Sequence, residues 1–356
     1  MSHICKLLLL TATAILVACS TDEKERGIVT IDLAANVGTP DKGSLNDILE
    51  LESLIHPELT DSSLLSYGPV HGIHGNRLYI QEDDDHLYTF DATNGKSMSA
   101  FSHKGSGPED WNLLLFAYPA KNGDWVTYDL RGQKILRYTA DGDFVGKYTA
   151  RICNICPDGD GWAAPKEVPD GANQVIYLYD DNFNLTDSIP THVTRRYMVS
   201  NNMEPTEGRA SMLIYDTLYV VNDSHKFAPE LAFTLGEYHC PYNTEADFDK
   251  LIAERHRFIW YEARVESDIV VVDYRLEKKN TMQIYDRNNG ALLYSCTVNP
   301  EVTTGVAGFP YEINGKQYGI TPMGVTAGGS FFFIITPDQF GEEEGNPAIL
   351  RLRPRH

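Results

Sequence analysis

Positive charge is scarce in this chain: 30 lysines and arginines face 50 aspartates and glutamates, a formal charge of −20. Nucleic acids and anionic bilayer surfaces are bound through basic patches, so no nucleic-acid partner is expected. Long apolar runs are also lacking. LLLLTATAILVA (7–18) holds 12 residues, short of the roughly 20 that a spanning helix needs, and FFFII (331–335) has only the length of a core strand. Catalytic signatures are absent too. There is no G-x-S-x-G elbow, no Ser–His–Asp context and no glycine loop followed by Lys-Ser/Thr. No catalytic residue can be named on this basis, and no cofactor is expected.

What is present begins at the N-terminus. Lys6 precedes the apolar run, and Leu16-Val17-Ala18-Cys19 follows it, small residues leading into a cysteine. That order resembles the lipobox of bacterial lipoproteins, which implies cleavage before Cys19 and acylation of its sulfur. Such a protein is anchored to a membrane and does not span it. Residues 1–18 then read as a lipoprotein signal peptide and 19–26 as a polar tether. The remaining 338 residues carry a formal charge of −21 once Lys6 is removed. Ser20 follows the cysteine where inner-membrane retention would want Asp, and Asp22-Glu23 is similar to surface-export signals of Bacteroidetes lipoproteins. The resemblance implies an outer-membrane lipid anchor facing the periplasm or the cell surface.

Cysteine is sparse beyond that point: Cys153, Cys156, Cys240 and Cys296. Cys153 and Cys156 form the candidate disulfide. Free thiols, or a metal or redox pair, are the alternatives, but Pro157-Asp158-Gly159 after the pair is turn chemistry, unlike the helix start of a redox site. No second paired motif completes a zinc site, and no metal is expected. His71 and His74 read as surface or capping residues. The acidic runs at 82–85 and 342–344 read as solvated turns, because neither has the alternating spacing of a calcium loop.

Periodicity carries the fold. Segments 77–101, 124–148 and 268–296 each read as a β-rich run, a polar turn, a second run, then Asn94-Gly95, Asp141-Gly142 or Asn289-Gly290. Such dipeptides suit hairpin turns that need φ > 0. Gly95 and Gly142 are 47 positions apart, and Gly142 and Gly290 are 148 apart, which leaves room for two more copies. These are placed at 173–191, turning at Asn182-Phe183-Asn184, and at 216–238, turning at Leu235-Gly236. A sixth copy, 328–354, turns at Gly345-Asn346. Units of this length bury both faces only by stacking. The expectation is an all-β, six-bladed β-propeller of four-stranded antiparallel blades over 27–356. Its last copy lacks an outer strand, which Gly27–Ala34 is expected to supply, closing the ring. Short loop helices are expected at 245–256 and at 45–54.

Between the first two copies lies FSHKGSGPEDW. As a phosphate loop it fails, since Pro108 removes an amide, Glu109-Asp110 repels anions and no helix signature follows. Phe101, Gly105, Gly107, Pro108, Glu109 and Trp111 instead match the aromatic and G-x-G-P-G-E-[FY] motif of the TolB-like six-bladed propeller lipoproteins of Bacteroidetes. Asp110 departs from that pattern. The resemblance covers the mature chain and implies an architecture without a single chemistry. A binding or interaction module is therefore expected, with an envelope protein or a glycan or peptide as partner. The alternative is a hydrolase or lyase acting on glycans or peptides at the channel mouth.

Overall fold

The computed structural model describes residues 27–66, 68–82, 85–194, 203–242, 245–299, 308–324, 328–342 and 344–355. The signal segment, Cys19 and the tether lie outside the described residues. Two outer strands come first: β1 (Val29–Asp32) and, after the one-turn helix α1 (Leu45–Ile48), β2 (Leu49–Ile55). Blade one is β3 (Val70–His74), β4 (Arg77–Glu82), β5 (His86–Asp91) and β6 (Ser97–Phe101). Blade two is β7 (Leu114–Pro119), β8 (Trp125–Asp129), β9 (Lys134–Tyr138) and β10 (Phe144–Thr149). Blade three is β11 (Cys156–Asp158), β12 (Gly161–Pro165), β13 (Asn173–Tyr179) and β14 (Leu185–Thr194). Blade four is β15 (Glu204–Thr206), β16 (Arg209–Ile214), β17 (Thr217–Val221) and β18 (Phe227–Thr234). Helix α2 (Phe248–Glu254), flanked by short 3-10 turns, precedes blade five: β19 (Trp260–Glu266), β20 (Ile269–Leu276), β21 (Lys279–Asp286) and β22 (Leu292–Val298). The sixth sheet holds β23 (Phe309–Ile313), β24 (Lys316–Pro322), β25 (Phe331–Ile335) and β26 (Ala348–Pro354), with β2 along the edge of β26. The architecture is a six-bladed β-propeller.

Its core is divided among the blade interfaces. Each neighbouring pair shares its own apolar cluster: Tyr79 and Trp125 between blades one and two, Tyr128 and Trp162 between two and three, Ile176 and Met212 between three and four. Leu231 with Val272, Val271 with Phe333, and Ile80 with Phe332 serve the remaining three. Both faces of the strands in the middle of the blades are thus buried, which is why β8 and β25 are apolar or neutral at almost every position.

Each blade is an antiparallel meander, so its connections fall into two sets. The turns between first and second strands and between third and fourth strands share one face, here the turn face. The links from one blade to the next lie on the other, the connection face. Gly95, Gly142 and Gly290 occupy the third-to-fourth turns with φ of 74°, 100° and 71°, which an L residue resists. On the turn face a chain of ion pairs stitches neighbours together: Arg77–Asp141 at 2.7 Å, Lys121–Asp160 at 2.6 Å, Arg209–Asp158 at 2.9 Å and Arg287–Glu207 at 2.8 Å.

Three expectations need correction. The ring is closed by an N-terminal strand, but that strand is β2, whose LELESLI alternation pairs antiparallel with β26 from Leu49↔Pro354 to Ile55↔Ile349. Gly27–Ala34 contributes β1 elsewhere, parallel to β18 on the rim of blade four. The helix expected over 45–54 stops at Ile48, because burial of Leu49 and Ile55 in strand geometry overrides the helical spacing of Leu45, Ile48 and Leu49. In blade four the hairpin turn is Asn222–Lys226, with His225 at φ 53°, whereas Leu235-Gly236 begins a 3-10 turn after β18. The helical insert at 245–256 is present as α2 and its flanking turns. Among the described residues no helix is long and apolar enough to cross a membrane.

Candidate functional site

The FSHKGSGPEDW loop is built for packing. Trp111 is fully buried and meets Tyr138 edge-on at 5.5 Å, while His103 stacks on Tyr138 at 4.7 Å. The Asp110 carboxylate accepts the Gly107 N–H at 2.8 Å and lies across the loop. A Cβ on Gly105 or Gly107 would stand 2.3 or 2.7 Å from Asp110 Oδ2. The glycines therefore make room for Asp110. Glu109 and Pro108 are exposed at the tip, and the Glu109 carbonyl accepts the Tyr138 hydroxyl at 2.5 Å. Phe101 packs under Gly142, whose Cβ would fall 2.7 Å from its ring.

Cys153 and Cys156, the pair whose spacing suggested a disulfide, have different surroundings. Cys153, half-buried, approaches the Lys166 carbonyl, whereas Cys156 opens β11 and turns into the core between blades three and four. Burial pushes the Cys156 thiol well above its ordinary range, with Asp158 and Glu204 adding to the effect. His71 is also misread by sequence. It is buried beneath the rings of Tyr118 and Trp125, 4.9 and 6.5 Å away, and burial lowers its pKa to about 4 against the opposing bond from Gln81.

The first strands converge toward the axis, and there three blades bring charge together. In β19, Tyr261, Ala263 and Val265 pack toward blade four, so the alternate residues Trp260, Glu262 and Arg264 face blade six. Asp273 lies directly across from Glu262 in the ladder. Arg264 donates through Nη1 to Asp273, through Nη2 to Glu262, and through Nε to the Gly324 carbonyl at 2.9 Å. Burial opposes its charge, but Asp273, Glu262 and Glu204 outweigh that effect and hold its pKa above the ordinary value. Glu204 comes from β15, held in place by Asn154 and Ser211, whose side chains donate to the Met203 and Glu204 carbonyls at 3.1 and 2.9 Å. Water reaches the Glu204 side chain, yet protein crowds it. Burial pushes its pKa up, Arg264 pulls it back, and Glu262 and Asp273 raise it further.

Beside this cluster, on the connection face between blades five and six, lies a cavity of about 310 Å³. Trp260, Phe309 and Pro322 supply apolar wall, and Glu262, Asp273, Arg275 and Asn280 supply polar groups. The arrangement combines aromatic surface with fixed donors and acceptors, as a small-ligand site requires. Arg255 covers Trp260 at 5.4 Å and accepts its indole N–H at 3.1 Å through the carbonyl, fixing the ring. Among the described residues no group of three or more His, Cys, Asp and Glu is placed to hold a metal. Sequence reasoning missed this cluster. Its only signal is the pair of charges at Glu262 and Arg264 inside an otherwise strand-like run.

The comparisons agree with the architecture. A crystal structure of a Bacteroides fragilis protein, described as a candidate exported protein, superposes with a TM-score of 0.66 at 16% identity, covering 92% of this chain and 100% of that one. A member of the DUF4221 family from Bacteroides vulgatus superposes at 0.51 with 9% identity, covering 86% and 98%. At such identities the likeness concerns the fold. No curated protein matches the chain in sequence. The family model that does match spans residues 28–353, nearly the whole propeller, and the chain belongs to that family, described as Domain of unknown function (DUF4934).

Proposed function

We propose that the chain is a lipid-anchored propeller of the outer membrane that binds a glycan or peptide ligand at the channel mouth between blades five and six. The observation that carries this reading is the pocket itself: a fixed indole beside Glu262 and Asp273, with Arg264 bridging both acids. A rigid ring holds these groups with little ordering to be done on binding, which favours affinity. The exported bacterial fold neighbour, the lipobox ending at Cys19 and the GSGPEDW loop support the address and the kinship with TolB-like lipoproteins. A glycan and peptide binding screen on residues 27–356 tests the reading. Ligands it finds should bind at least about tenfold more weakly, a loss of about 1.4 kcal/mol, to the Trp260→Ala and Asp273→Asn proteins. Unchanged affinity in both variants would place the ligand elsewhere.

Glu204 supports a second reading. A carboxyl with a raised pKa facing other carboxylates is suited to general-acid chemistry on a bound glycan. Under that reading Glu204→Gln abolishes turnover of the bound ligand and leaves binding intact. Persistence of turnover would exclude Glu204 as the acid.

A further inference from the structure

The path of the N-terminal segment relates the anchor to the pocket. Gly27, Ile28 and Val29 line a groove of about 710 Å³ together with Asp268, Arg287 and Asn288. Asp268 belongs to the first turn of blade five, and Arg287 and Asn288 to its third turn, so Gly27 sits at the turn face. From there β1 runs along β18 toward the opposite side, where Ala34 meets Gly236, whose Cβ would stand 3.0 Å away. The segment is firmly held. Ile31 and Leu33 are fully buried, the Asp32 carboxylate accepts the Ala35 N–H at 3.0 Å, and the Thr30 carbonyl lies 2.6 Å from where Gly290 would bear a Cβ.

We infer that the lipid anchor holds the propeller with its turn face toward the bilayer and its connection face, with the pocket between blades five and six, turned away from it. This rests on the reading of Cys19 as the lipidated residue. Eight chain steps separate Cys19 from Gly27, at most about 28 Å when fully extended and roughly 16 Å as a flexible coil. The pocket lies at the far end of β19, a strand of 7 residues that spans about 23 Å. The short tether therefore favours the face from which it emerges. That face exposes Asp141, Asp143, Asp160, Asp223 and Asp268 beside Lys96, Lys121 and Lys226, and Asp141, Asp160 and Asp223 are paired with Arg77, Lys121 and Arg209, so the tether, and not a basic surface, makes the attachment. The pocket is then open to ligands arriving from solution.

The test uses the full-length lipidated protein on vesicles of phosphatidylethanolamine and phosphatidylglycerol containing a nitroxide-headgroup lipid. A fluorophore is attached at Ser224→Cys, in the third turn of blade four, or at Ser106→Cys, at the exposed loop of the connection face. Cys153 and Cys240 are replaced by serine in both proteins. The Ser224 site should be quenched several-fold more strongly than the Ser106 site. Equal quenching, or stronger quenching at Ser106, would overturn the orientation while leaving the anchor in place. If the wild-type protein fails to float with the vesicles, or the Cys19→Ala protein floats equally well, the anchor reading and this inference fall together.

Discussion

Replacing Arg264 by methionine tests the charged centre of the propeller directly. The guanidinium side chain is 10% exposed and joins Glu262 and Asp273 of its own blade to the Gly324 carbonyl of the next. Methionine keeps the length and apolar stem but removes every donor. Breaking a buried pair by deleting one partner costs about 3–5 kcal/mol, because the remaining charge is left without compensation. Here Asp273 retains 30% exposure and Glu262 68%, so water recovers part of that loss and about 2–4 kcal/mol is expected. Unfolding entropy of about 2.1 cal/mol/K per residue gives roughly 0.7 kcal/mol/K for a propeller of this length, hence a Tm lower by about 3–6 °C. Differential scanning calorimetry of Arg264→Met at pH 7.5 reads this directly. Adding Asp273→Asn removes the orphaned charge and should restore part of the loss. A Tm shift below about 1 °C, or a double variant less stable than the single by the full Asn cost, would show that the bridge contributes no net stability.

Four further outcomes follow from the geometry. His71 is neutral in the folded state with a pKa of about 4 against 6.5 unfolded, so the unfolded chain binds the extra proton between those values. Stability is therefore full above about pH 6.5 and falls by about 3 kcal/mol toward pH 4; in His71→Phe, equilibrium denaturation should show that slope reduced. Glu204 has the opposite sign: its raised pKa lowers stability as pH rises through the window above the ordinary carboxyl value, and Glu204→Gln should remove that decline in the same measurement. Gly324→Ala places a Cβ 2.0 Å from the Val70 carbonyl at a φ of 72°, and chemical denaturation should register a loss on the order of 3 kcal/mol. Removing residues 27–36 uncovers the rim of blade four and its border with blade five, whereas removing 27–55 takes β2 from the ring as well; circular dichroism should show a folded propeller for the first deletion and none for the second.

The fold was legible where turn chemistry repeats. Asn94-Gly95, Asp141-Gly142 and Asn289-Gly290 mark three third-to-fourth turns because positive φ selects for glycine there. The blade-four turn carries no glycine. His225 takes the positive φ, supported by the Asn222 side chain accepting from Ser224 and Lys226, and so the pattern slipped by several residues. Closure was ambiguous for another reason. Both 29–32 and 49–55 alternate as edge strands, and only the partner, β26 or β18, decides which one seals the ring. The charged cluster was hidden because Glu204, Arg264 and Gly324 come from three blades and meet only in the folded ring. The buried His71 could not be separated from a surface histidine without Tyr118 and Trp125 beside it.

The β2–β26 seam has a consequence for how the molecule comes into being. Arg353 reaches back 303 positions to Glu50, so the two sides of the seam are among the first and last parts of the propeller to leave a ribosome or a translocation pore. Five blades can stack as they emerge, but the outer strand of the sixth, β2, has no partner until β26 arrives. Until that moment β2 and the open flank of blade one are exposed strand edges, prone to pairing with other chains. Joining segments this far apart in sequence is slow. A chaperone that shields β2 until β26 has formed would then set the yield of this protein more than the stability of any single blade.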